Sequence, residues 1–117
     1  ATRAARRLGG LMEQAARLEL RAAWPRGGLS DRLALVARSI RLGLPPSLYG
    51  VELDGFDTHL SQARPHERLL AELDGALGAF AAELEHSGDL DRVCVLVWSE
   101  FGRRVHENGS GGTDHGL

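Results

Sequence analysis

The 117-residue sequence holds one cysteine, one methionine, four prolines and no lysine. With Cys94 alone, neither an internal disulfide nor a multi-cysteine metal site can form. Fourteen arginines stand against sixteen acidic residues, a formal charge of −2, and that balance offers no global field to hold nucleic acid or an anionic membrane. Long unbroken apolar runs are also missing, which excludes a helical membrane span. Arg6-Arg7 is followed by Glu13, Arg17 and Glu19 rather than by the apolar core of an export signal. What remains is 43% hydrophobic and 26% charged, the composition of a folding chain of one small domain. Ala1 at the start and the Gly-rich stretch before Leu117 at the end lead us to expect an internal piece of a longer protein.

Residues 1–28 read as a leading helix and linker. Leu8, Leu11, Met12, Ala15, Leu18 and Ala22 recur at three- and four-residue intervals, predicting a helix over 2–23 that Gly9-Gly10 weakens. After the breaker Pro25-Arg26-Gly27-Gly28, Ser30 is placed to cap a second helix with an inner face of Leu33, Val36, Ala37 and Ile40, ending near Gly43. Pro45-Pro46 forbids its continuation. Ser47 to Leu53 has the length and bounding turn signals of a strand. Leu69, Leu70, Leu73, Leu77, Phe80 and Leu84 predict a long helix from Pro65 to His86, stopped by Ser87-Gly88-Asp89. Arg92 to Trp98 is the continuous β-branched run of a strand buried on both faces, with Cys94 as a small hydrophobe inside it. Strand, helix and strand in this order predict a parallel βαβ unit within residues 29–117 and an α/β fold class.

In an open parallel sheet the loops leaving the carboxyl ends of strands gather on one edge, where ligands bind. Here those loops are Asp54–Gln62 and Ser99–His115, and they hold most of the chain's chemically potent side chains. Asp57 and His59 lie two residues apart beside Gly55, a spacing that lets both face one ion if the turn is extended. The alternative is an Asx turn at Asp57 with His59 packed on the following helix. Asp114-His115, flanked by Gly112 and Gly116, is a second carboxylate–imidazole pair, with an exposed polar loop as its alternative. Arg103 suits a bidentate grip on a phosphate or sulfate, with Glu100 orienting it or reaching a metal; a solvated pair is the plainer reading of Arg103-Arg104 and is preferred for Arg104. Ser99 has no neighbouring base in sequence that would make it a nucleophile. His66 suits capping or packing at the long helix's start, His86 complements the dipole at its end, and His106 reads as surface.

The strings Gly55-Phe56-Asp57-Thr58-His59, Gln62, His66, Leu69-Leu70, Ser99-Glu100-Phe101-Gly102-Arg103, Glu107-Asn108-Gly109 and Gly112-Thr113-Asp114-His115-Gly116 resemble, in order and spacing, the bacterial domain-of-unknown-function 1501 family. The resemblance spans residues 29–117 and implies membership of the alkaline-phosphatase-like, sulfatase-related superfamily. It implies a three-layer α/β/α sandwich, of which this chain would hold part, and hydrolysis of a small anionic phosphate or sulfate ester. It further implies divalent ions (Zn, Mn or Fe), with Asp57 and His59 at one metal position, Asp114 and His115 at the other, and Arg103 on a substrate oxygen. His66 matches a family position without an assigned role. The superfamily's nucleophile would precede Ala1 and a further His ligand would follow Leu117, so the fragment alone is expected to be inactive. Cys94 lacks the Pro and Arg context of a sulfatase cysteine. A non-catalytic binding or scaffolding module that keeps the fold is the alternative function. Family members often carry export signals, implying an exported or periplasmic protein, and an open sheet edge invites self-association.

Overall fold

The computed structural model describes residues 2–44 and 47–116, so the Pro45-Pro46 break lies outside the described residues. Helix α1 runs Arg3–Arg17, with the Thr2 side chain accepting from the Ala5 N–H as its cap. The predicted helix over 2–23 is thus six residues too long at its C-terminal end. The cause is non-local. Leu18 turns extended, and the segment after it is drawn onto the other helices. Arg38 Nε donates to the Leu18 carbonyl, Arg41 Nη1 donates to that of Glu19, and the N–H groups of Arg21 and Ala22 donate to Glu83. Of the predicted stripe, Ala15 is buried, Met12 is exposed, and the Leu8 side chain lies outside the described residues.

Helix α2 spans Gly28–Arg41 and helix α3 spans Ala63–Ser87. Ser30 is not the cap of α2; it is buried one turn inside. The helix starts earlier because Glu72 on α3 accepts the Leu29 N–H while the Gly27 carbonyl accepts that of Asp31. Leu29, Leu33, Ala37 and Ile40 of α2 pack on Ala76, Phe80 and Leu84 of α3 to make the core. Gly43, at φ 62°, turns the chain out of α2, and Gly88, at φ 76°, does the same for α3, both in the left-handed region that glycine enters at no steric cost. No helix among the described residues is long and apolar enough to cross a membrane.

The predicted parallel βαβ unit, and with it the three-layer α/β/α sandwich, is not formed. Among the described residues the molecule is mainly helical, and the only sheet joins β1, Gly102–Arg103, to β2, His115–Gly116, antiparallel. Tyr49, Val51, Leu53 and Val93 do rest against the core, so the two predicted strand segments lie beside the helices as apolar sequence should. A strand also needs a ladder, and no described segment pairs as a strand with 47–53 or 92–98. Cys94 is accordingly exposed rather than buried, and Leu96 and Trp98 are each 76% exposed.

Candidate metal centre

The site grows from the two loops that the sequence singles out, but they are joined by side chains and by main-chain hydrogen bonds rather than by a parallel sheet, and the two-residue ladder lies within the second loop's own segment. Gly55, at φ 100°, makes the bend ahead of Phe56, and the Thr58 N–H returns to the Phe56 carbonyl at 3.0 Å, so Asp57 stands at the apex of a tight turn. The second loop is stitched to the first through main chain: Ser61 and Gln62 N–H groups donate to the carbonyls of Ser110 and Gly111, each at 3.0 Å. Gln62, buried at the entrance to α3, accepts the N–H and the hydroxyl of Thr113 on one oxygen, both at 2.8 Å. Gly112 passes so close to His59 that an added Cβ would lie 2.5 Å from the His59 carbonyl oxygen.

Arg103 completes the joint. Its guanidinium donates to the carbonyl of Thr113 in one loop and of Phe56 in the other, and its Cζ lies 5.2 Å from the ring centroid of Phe101. Both donating nitrogens are thereby engaged with main chain, whereas the resemblance implies that Arg103 contacts a substrate oxygen. Phe101 stacks on His115 with ring centroids 3.8 Å apart, fixing the plane of that imidazole.

The outcome is a convergence of three side chains. His115 Nε2 lies 2.8 Å and His59 Nε2 3.1 Å from the same oxygen, Asp57 Oδ1. One donor atom from each of Asp57, His59 and His115 falls within 4.8 Å of the others. Asp114 stands apart from this group, on the far edge of the His59 ring, with Oδ1 3.4 Å from Nδ1. The four predicted ligands are therefore neighbours, though not as two separate pairs. Glu100 is exposed on the loop after the apolar run. His66 lies in the first turn of α3, edge-on to Phe56 at 5.6 Å, and is not among the converging donors.

The electrostatics favour ionised carboxylates. The hydrogen bond from His115 chiefly holds Asp57 below the ordinary Asp value, against a smaller opposing effect of desolvation, with His59 assisting. Asp114 is lowered first by Asn108 and then by His59. Donor chemistry and spacing both fit a divalent cation. Two imidazoles and a carboxylate, all reachable from solvent, leave positions open for other ligands. Donors on a tetrahedral shell with bonds of about 2.1 Å stand roughly 3.4 Å apart; the two imidazole nitrogens lie 2.8 and 3.1 Å from Asp57 Oδ1, and the three donors together fall within 4.8 Å.

Asn108 is not marked as a functional residue by the sequence alone. It donates to the His59 carbonyl and to Asp114 while its own oxygen accepts the N–H groups of Ser110 and Gly112. Its legible signal is the Asn108-Gly109 dipeptide, which marks a turn but not what the turn holds. The stacking of Phe101 on His115 leaves no sequence signal. Against known proteins, the family described as Protein of unknown function (DUF1501) matches residues 35–116. No curated protein and no solved structure matches the chain.

Proposed function

The chain belongs to the DUF1501 family, and from that premise and the site's geometry we propose that Asp57, His59 and His115 hold one divalent cation in a metal-dependent hydrolase of phosphate or sulfate esters. The observation that carries this reading is the meeting of two imidazole nitrogens on one carboxylate oxygen from segments 58 residues apart in sequence. Zn, Mn and Fe all accept such a donor set. Kinship with alkaline-phosphatase-like and sulfatase-related enzymes is part of the same proposal and selects ester hydrolysis among the chemistries such a site serves. An exported or periplasmic location goes with it.

When bound, the cation supplies Lewis acidity toward a phosphoryl or sulfuryl oxygen. The chain's own residues do the rest of the work visible here. Asp57 and the two histidines bind, Phe101 and Arg103 keep the histidine-bearing loops in register, and exposed Arg104, near enough to Asp114 to help lower its pKa, is available to an anionic substrate. The engagement of Arg103 with main-chain carbonyls favours the second reading, a binding or scaffolding module without turnover.

The full chain, stripped by dialysis against chelator and reloaded with Zn, Mn or Fe, is expected to retain about one equivalent by mass spectrometry, as three convergent ligands require. Asp57→Ala should retain none. A wild-type chain that stays metal-free under replete conditions defeats the reading. With the protein at its full length, retained metal without turnover of aryl phosphate or aryl sulfate selects the scaffolding alternative, whereas chelator-sensitive turnover selects the hydrolase.

A further inference from the structure

His59 presents its two ring nitrogens to two different carboxylates. Nε2 faces Asp57 Oδ1 at 3.1 Å and Nδ1 faces Asp114 Oδ1 at 3.4 Å. An imidazole nitrogen that ligates a cation gives up its proton, and the ring then carries its one proton on the other nitrogen, which needs an acceptor. In this geometry Asp114 is that acceptor. The same Oδ1 atom also accepts Nδ2–H of Asn108 at 3.1 Å, and Asn108 donates to the His59 carbonyl at 2.9 Å, so one amide holds both the main chain of His59 and the carboxylate facing its ring. Gly112, in contact with the His59 carbonyl, closes the other side of that grip.

We infer that Asp114 is a positioning residue and not a ligand: its Oδ1 keeps the proton of His59 on Nδ1 and aims Nε2 at the point shared with Asp57 and His115. The inference rests on the metal reading above and adds to it a division of labour between the two aspartates. Asp57 contributes charge and a donor atom. Asp114 contributes an acceptor, and a single oxygen suffices because both of its hydrogen bonds end on Oδ1.

That single oxygen makes the two roles separable. Asp114→Asn keeps an Oδ1 acceptor for both His59 and Asn108 while removing the charge, whereas an amide is a poor replacement for a ligating carboxylate. Titration of the full chain with Co(II), followed by its visible ligand-field bands, reads affinity and donor set together. The wild type should show the bands, Asp114→Asn should bind within about threefold of it, the scale of one perturbed hydrogen bond, and Asp57→Asn should lose binding. Asp114→Ala should weaken binding about 10–100-fold, the usual effect of removing an orienting partner, with band positions unchanged because the inner donors are the same. Equal losses in Asp114→Asn and Asp57→Asn, or shifted bands in Asp114→Ala, overturn the inference and make Asp114 a ligand. Flat titrations for the wild type as well overturn the metal reading itself, a distinct result. Far-ultraviolet circular dichroism checks that each variant folds, and if Asp114→Ala does not, the comparison of the two Asn variants decides alone.

Discussion

At position 112 a single hydrogen atom separates a working loop from a collision. A methyl group there meets the His59 carbonyl oxygen at 2.5 Å, and the main chain on both sides is tied by hydrogen bonds to Asn108. Gly112→Ala should therefore destabilise the fold by about 1–3 kcal/mol, as overpacking does, and should weaken Co(II) binding by moving His59; urea unfolding and the same titration check both. The sequence makes the participants legible at this scale without their roles. Asp57, His59, Asp114 and His115 stand out because carboxylate and imidazole occur together in two glycine-bearing loops. Which atom of each faces which neighbour depends on contacts across as many as 58 residues, and no local spacing encodes that. Arg103 shows the same limit: a guanidinium suits a phosphate and a pair of main-chain carbonyls equally well, and only the fold tells that Phe56 and Thr113 are its partners.

Among the elements, α3 is the most legible because its signal is its own 3.6-residue period, and the expected Pro65–His86 falls just inside the observed Ala63–Ser87. The end of α1 is illegible for the opposite reason, since a buried carboxylate on α3 decides it. Glu83 is fully buried, accepts from the N–H groups of Arg21 and Ala22 at 2.7 and 2.9 Å, and pairs with Arg41 at 2.8 Å. Burial by itself raises its pKa, but the main-chain donors of Ala22 and Arg21, with Arg41, outweigh that, and the carboxyl lies below the ordinary Glu value. A depressed folded-state pKa contributes stability that is fully present above the unfolded pKa and disappears as pH falls through the folded one. Chemical denaturation between pH 7 and pH 3 should thus show an acid loss of stability that Glu83→Gln flattens, with the variant already less stable at pH 7. Arg41→Ala leaves the buried carboxylate without its counter-charge and should cost about 3–5 kcal/mol, the range for breaking a buried pair.

For the molecule as a whole, the radius of gyration is 17.8 Å, whereas a compact chain of this length has about 13 Å. The chain also leaves an apolar run uncovered after Val93, where Val95, Leu96, Val97 and Trp98 are between 51% and 76% exposed. Residue pattern predicts strands at 47–53 and 92–98, and composition is consistent with that; a sheet, however, is a property of several segments in register, and none of the described segments supplies the ladder. Fold class depends most on that missing information. An uncovered apolar stretch of this kind promotes association, so light scattering should find the chain's mass rising with concentration, and Leu96→Lys with Trp98→Lys should suppress the rise. If the double variant associates as readily as the wild type, the contact lies elsewhere. The hydrogen bond from His115 to Asp57 also spans 58 residues of chain that include the whole of α3. An ion seated across it would act as a clasp on that long excursion, discouraging the open chain while adding nothing to the hydrophobic core. Saturating the protein at about 100 times the dissociation constant would then raise its resistance to heat by about 2.7 kcal/mol of linkage, turning a melting curve into an occupancy gauge that needs no substrate at all.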